Sequence, residues 1–191
     1  MWYTKGFNPH AKVTFALPLS VGAQSECEYI DLRIERDMPC EDILQRLNGE
    51  LTDEMRVLDV YDVPEGSDFQ QIAWASYCMD IRCAQADAAL AEQVTAYLTA
   101  SPVLMDKKSK SGVRQVDITA MIRDLRAVCV TDGHVRLEAV LSASGAEYLN
   151  PEYVITALKQ RFGILSTDLM TESYSIVRTR VLLSDGQTEF H

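Results

Sequence analysis

Two short stretches concentrate side chains able to hold or transform an anionic ligand. The first is Lys5-Gly6-Phe7-Asn8-Pro9-His10, followed closely by Lys12. Glycine, asparagine and proline favour a turn. A turn so composed presents an aromatic ring, an amide, an imidazole and ammonium groups, a set that can hold a phosphate and stack a base. A plain turn leading into a strand is the structural alternative. His10 is the candidate acid–base residue of the chain, since His134 and His191 stand in less suggestive settings and no Ser/His/Asp or Cys/His arrangement follows from spacing. The second stretch, Asp106 to Arg114, holds four basic side chains and one acidic, a charge of +3 within a chain of formal charge -10. Lys107, Lys108, Lys110 and Arg114 suit phosphate contact, and Gly112 lets the backbone approach a ligand. A solvated hairpin whose lysines protect an edge is the alternative. The stretch lacks the glycine and lysine spacing of a P-loop. Asp117, Asp124 and Glu138 are chemically able acids or bases, but carboxylates are common in so acidic a chain.

The elements that must position these residues follow from periodicity. Val13 to Leu19 is apolar and β-rich, and Tyr29 to Glu35 alternates apolar with charged residues as a half-buried strand does. Ile43, Leu44, Leu47 and Leu51 recur at helical spacing after Pro39, with Glu41 and Asp42 near the positive end of the helix dipole. Met55 to Val63 returns to strand character, and residues 64 to 68 have the composition of a linker. Ile72 to Cys83 predicts a long strand, and Asp87 caps a helix striped by Leu90, Val94 and Leu98 that ends at Ser101-Pro102. Asp132-Gly133 predicts a tight hairpin turn between Leu125–Val130 and Val135–Leu141. A helix starts at Asn150-Pro151, turns Val154, Leu158 and Phe162 inward and stops at Gly163, and Ser173 to Leu183 closes the chain as a strand. From residue 72 the order is strand, helix, strand, strand, helix, strand, the split β-α-β arrangement of a ferredoxin-like unit. The first part shows the same order without its opening strand and helix. The predicted fold is therefore α+β, with two ferredoxin-like units at residues 1–65 and 71–191, the first incomplete.

Composition excludes several classes. With 47% hydrophobic and 24% charged residues in 191, the chain is neither disordered nor fibrous. No run is long enough to span a membrane and the N-terminus has no signal pattern, so a cytoplasmic protein without membrane contact is expected. Five cysteines without a C-x-x-C pair suggest a reducing compartment, and the scattered histidines suggest neither a metal centre nor a cofactor. The net charge repels a general nucleic-acid coat and leaves a local basic site as the place for RNA. Residues 1 to 66 are the more acidic part, with 13 acidic and 6 basic side chains.

From Trp2-Tyr3-Thr4-Lys5-Gly6-Phe7-Asn8-Pro9-His10 through Gly22, the chain resembles the radical-SAM-linked bacterial family of unknown function. The resemblance continues through Ser25 to Asp31, Leu44 to Asn48, Lys107 to Gly112 and Val116-Asp117-Ile118. Members are encoded beside, or fused to, a radical SAM protein, so the resemblance implies that protein as a partner. The C-x-x-x-C-x-x-C spacing of a radical SAM cluster is absent here, which makes this chain the companion. Members also carry a further strand and helix, with a His-Leu-Asp-type stretch, before the Gly-Phe-Asn-Pro motif. Without them the first unit would leave a sheet edge uncovered and open to homodimer pairing. The expected function is a non-catalytic accessory module acting on RNA or a ribosome-associated substrate. In it, Lys107, Lys108, Lys110 and Arg114 meet phosphate while Lys5, Gly6, Phe7, Asn8, Pro9 and His10 position the substrate. An enzyme using His10 on a phosphorylated or nucleotide substrate, and an acidic protein-docking scaffold, are the alternatives.

Overall fold

The computed structural model describes the chain except residues 1, 2, 4, 6, 64–67, 101, 110, 111, 146 and 166–170, with backbone alone at 108 and 109. In chain order its elements are β1 (Val13–Phe15), β2 (Gln24–Ser25), β3 (Ile30–Leu32), α1 (Cys40–Glu50), β4 (Trp74–Arg82), α2 (Ala88–Ala100), β5 (Leu104–Ser109), β6 (Gly112–Asp117), β7 (Ile122–Thr131), β8 (His134–Ser142), α3 (Glu152–Phe162) and β9 (Ser173–Leu182). The architecture is mixed α+β, and the chain divides into two compact units: residues 1–16 with 28–67, and residues 17–27 with 68–191.

In the first unit β1 and β3 pair antiparallel, Val13 opposite Leu32 and Phe15 opposite Ile30. Helix α1 begins after Pro39 with Glu41 and Asp42 in its first turn, where the helix dipole favours negative charge. Its apolar residues Ile43, Leu44 and Leu47 are only half-buried, and no described residue of this unit is fully buried. The strand expected at Met55 to Val63 is not formed: the chain there has no assigned secondary structure. The residue types suit a strand, but strand existence requires a hydrogen-bonding neighbour, and none is present among the described residues. The expected linker at residues 64–67 lies outside the described residues.

The second unit is built on a five-stranded sheet in the order β2-β9-β4-β8-β7, where β2 runs parallel to β9 and the other pairs are antiparallel. Alternation in β4 buries Ala75, Tyr77, Met79 and Ile81; β8 answers with Val135, Leu137, Ala139 and Leu141. Leu98 of α2, Ile155 and Leu158 of α3 and Ile176 of β9 complete this core. Each such large aliphatic side chain contributes roughly 1.5–3 kcal/mol by leaving water.

Local chemistry sets the element ends. The carboxylate of Asp87 accepts the Leu90 N–H at 2.7 Å and starts α2. Gly163 stops α3 in the left-handed region, φ 66°, with its N–H donating to the Lys159 carbonyl. A Cβ there meets no neighbour, so Gly163→Ala carries only the backbone penalty, an expected loss of about 1 kcal/mol in urea unfolding. At Asp132-Gly133 only the glycine has positive φ, 81°, whereas the sequence pattern suggested a turn with two such residues. The β7–β8 register shift between Cys129 and Thr131 adjusts the pairing beside this turn.

Candidate functional site

The basic stretch forms an antiparallel hairpin of its own. Strands β5 and β6 pair with each other from Leu104 opposite Asp117 to Ser109 opposite Gly112, and among the described residues with no other strand. Gly112, opposite Ser109 at the end of the register, has φ 126°, backbone that side-chain-bearing residues rarely adopt. Directly opposed residues share a face, so Lys107 and Arg114 form one like-charged cross-strand pair. The Lys107 ammonium is anchored by donating to the Tyr148 carbonyl at 2.9 Å, and its neighbours Met105, Val116, Tyr148 and Tyr153 line an apolar recess. Arg114 is exposed. Lys108 stands opposite exposed Val113, at the alternate register position, and Lys110 lies outside the described residues.

Asp117 closes the base of the hairpin. Its Oδ1 accepts from Val103 N at 3.1 Å, Thr119 N at 3.0 Å and Thr119 Oγ1 at 2.7 Å. The Thr119 hydroxyl, opposed in part by burial and joined by the two backbone donors, holds the carboxyl below its ordinary range. Asp117, one of the acid–base candidates, therefore serves as an anchor between Val103 and the turn at Thr119. Of the other two, Asp124 accepts the neighbouring Leu125 N–H, and Glu138 stands opposite Arg126 on an exposed position.

The other predicted site residues belong to the first unit. An antiparallel bridge between Tyr3 and Ala11 flanks the turn, and Lys5, Phe7, Asn8, Pro9 and His10 are all exposed, Phe7 completely. Gly6 lies outside the described residues. The hairpin cations belong to the second unit.

Register assembles a further cluster that spacing alone did not indicate. Asp80 stands opposite Arg136 and Arg82 opposite His134 across β4 and β8. His134 Nε2 lies 2.6 Å from Asp80 Oδ1, while Arg136 donates through Nε to Oδ1 at 2.9 Å and through Nη2 to Oδ2 at 3.2 Å. His134 is buried and Asp80 half-buried. The Arg136 hydrogen bonds lower the Asp80 carboxyl below its ordinary range against the effect of burial, with His134 adding to the lowering. Burial, then the Asp80 charge, raises the nearby Cys78 thiol, which disfavours a thiolate nucleophile. The only advance signal was the alternation placing Asp80, Arg82, His134 and Arg136 on positions facing away from the core.

Asp80→Ala should lower stability by about 1 kcal/mol, because these charge-assisted bonds are partly screened by water. A lowered carboxyl contributes stability above its unfolded pKa and loses it as pH falls through the folded value. The difference between wild type and D80A should accordingly shrink in acid, below about pH 4. Urea unfolding at neutral and acid pH reads this directly.

The fold and these groups define a mixed α+β protein with three α-helices, several sheets and a basic hairpin among the described residues. Residues 1–151 match the family described as an uncharacterized protein conserved in bacteria, DUF2344, and the chain belongs to it. No curated protein and no solved structure matches the chain. Among the described residues no helix is long and apolar enough to cross a membrane, and no group of three or more His, Cys, Asp and Glu side chains is arranged to hold a metal ion.

Proposed function

We propose that this protein is a non-catalytic, RNA-directed accessory module that works beside a radical SAM enzyme in the cytoplasm. The observation that carries the RNA reading is the β5–β6 hairpin, whose stretch from Asp106 to Arg114 holds a charge of +3 in a chain of -10 and which, among the described residues, pairs with no other strand. A phosphate backbone is drawn to such a local concentration of cations even when the whole chain repels it. The radical SAM partner rests on the resemblance carried by Lys5 to His10, Ser25 to Asp31 and the hairpin itself. In this reading Arg114, Lys108 and Lys110 meet phosphates, Lys107 orders the hairpin through Tyr148, and Lys5, Gly6, Phe7, Asn8, Pro9 and His10 position the substrate.

The second unit is proposed to be ferredoxin-like. Once the β5–β6 insertion is set aside, its order is β4-α2-β7-β8-α3-β9, with sheet neighbours β9-β4-β8-β7. RNA-reading sheets stack bases on aromatic side chains. Here the alternate positions of β4 and β8 carry Trp74, Cys78, Asp80, His134, Arg136 and Glu138, with Trp74 the one aromatic, and Arg123 lies over its ring. That composition favours phosphate contact by the hairpin over base stacking by the sheet.

Titration with a single-stranded RNA at two salt concentrations tests the proposal, comparing wild type with K108E/K110E/R114E. Lys107 is retained because its ammonium serves Tyr148. The variant should bind about tenfold or more weakly, and the slope of log affinity against log salt should fall by about 2, since three cations are lost at roughly 0.7 per phosphate. Equal affinity and slope in a variant that unfolds like wild type would remove the hairpin as an RNA site.

A further inference from the structure

Strand β7 of the second unit closes one end of the five-stranded sheet, so one side of its backbone faces β8 and the other has no strand beside it among the described residues. No described backbone–backbone hydrogen bond reaches residues 123–131 from outside the β7–β8 pairing. The register with β8 is continuous from Asp124 to Cys129, and within it alternate residues turn their N–H and C=O groups away from β8. Leu125 is one of these. Its N–H is accepted by the carboxylate of the adjacent Asp124 at 2.9 Å, a side chain standing in for the carbonyl of a neighbouring strand. Leu125, Ala127 and Cys129 therefore form the outward set, while Asp124, Arg126 and Val128 form the set turned to β8. Asp124 and Arg126 share the sheet face away from α2 and are both exposed.

The charges on this strand are complementary to the same strand turned about a two-fold axis. Antiparallel self-pairing must set outward residues opposite outward residues. Centred on Leu125, it places Leu125 opposite its own copy and Asp124 of each chain opposite Arg126 of the other, two opposite-charge pairs. Those two pairs are of the non-hydrogen-bonded kind, in which side chains approach most closely. Centred on Arg126, the pairing sets that cation against itself; centred on Ala127, it sets Arg126 against Val128 and Asp124 against Val130 and makes no ion pair. Charge thus selects the register at Leu125. Within its own chain Arg126 stands opposite Glu138, so the second copy's Asp124 adds a further carboxylate beside a cation. A groove of about 350 Å³ adjoins this edge, lined among others by Leu98 and Thr99 of α2 and by Ile122 and Leu125 of β7, and it gives the second copy's Leu125 an apolar seat.

We propose that β7 is a self-pairing edge through which two copies of this chain form a symmetric dimer, with Leu125 at the two-fold axis and Asp124 of each copy paired with Arg126 of the other. The Leu125 N–H passes from the Asp124 carboxylate to the second copy's Leu125 carbonyl, which frees Asp124 for the ion pair. The interface is isologous, so every contact occurs twice. It does not depend on the RNA reading of the hairpin.

Sedimentation velocity of the full chain over a concentration series reads the association, and urea unfolding checks that each variant folds. Wild type should dimerise. D124R sets cation against cation at both contacts and R126D sets carboxylate against carboxylate, so each variant alone should dimerise about tenfold or more weakly. An equimolar mixture of the two should associate with about wild-type affinity, because every cation then faces a carboxylate. Hydrogen exchange adds a reading of register: as protein concentration rises, the Leu125 amide should gain more protection than the Arg126 amide, which β8 already holds. A wild type that stays monomeric to the highest reachable concentration would overturn the proposal. So would a dimer that both variants leave unchanged, or a mixture that associates no better than either variant alone.

Discussion

Arg178→Ala is expected to lower the stability of the second unit by about 3 kcal/mol, the largest effect of any single substitution considered for this protein. Arg178 in β9 is 1% exposed, and its Nη1 donates to the Leu17 carbonyl at 2.9 Å. Its own backbone carbonyl accepts the Glu26 N–H at 2.9 Å and stands opposite Ser25 in the β2–β9 pairing. One residue thus holds residues 17–27 to the sheet through both side chain and main chain. Truncation to alanine removes a long buried stem and leaves the Leu17 carbonyl without this donor. Arg178→Met keeps most of the volume and loses the hydrogen bond, so its loss should be smaller, about 1–2 kcal/mol. Urea unfolding followed by circular dichroism measures both. Hydrogen exchange should localise the change, with the Glu26 amide exchanging faster in either variant. A loss well under 1 kcal/mol for alanine would mean that Arg178 does not hold this segment.

Asp117→Ala is expected to cost about 2 kcal/mol, because one carboxylate oxygen satisfies three donors and one of them belongs to buried Val103. The damage should fall on the base of the β5–β6 hairpin and accelerate exchange of the Val103 and Thr119 amides. Asp117→Asn keeps an acceptor oxygen in place and should cost less. The pH dependence follows from the lowered carboxyl. Its contribution is complete above the ordinary carboxylate range and disappears as pH falls through the folded value, so wild type and D117A should converge in acid. Should the hairpin bind RNA as proposed, D117A will also weaken that binding without removing a cation. That separates ordering of the hairpin from its charge. Unchanged exchange at Val103 would show that the Asp117 bonds do not hold the hairpin base.

Much of the second unit was legible because its signals are local. Alternation from Ile72 to Cys83 marks β4 and its buried face, Asn150-Pro151 and Gly163 bracket α3, and Asp87 caps α2. The charge of the Asp106–Arg114 stretch is likewise a property of sequence alone. Roles within it are not. That Lys107 serves Tyr148, 41 residues away, while Arg114 stays exposed depends on where the chain returns.

Three features were decided by tertiary structure. Residues 17–27 join the second unit as a parallel neighbour of β9, although a two-residue strand leaves almost no periodic trace. Asp80, His134 and Arg136 meet because β4 and β8 adopt one register; a shift of one residue would send these side chains to the other face. Met55 to Val63 has strand composition and is no strand, since a backbone donor needs an acceptor brought from elsewhere. By itself the sequence determined faces, caps, turns and charge, all of which act within a few residues. Pairing partners, register and the company of each carboxylate were left to the fold, because contacts distant in the chain depend on which surfaces the whole molecule brings together.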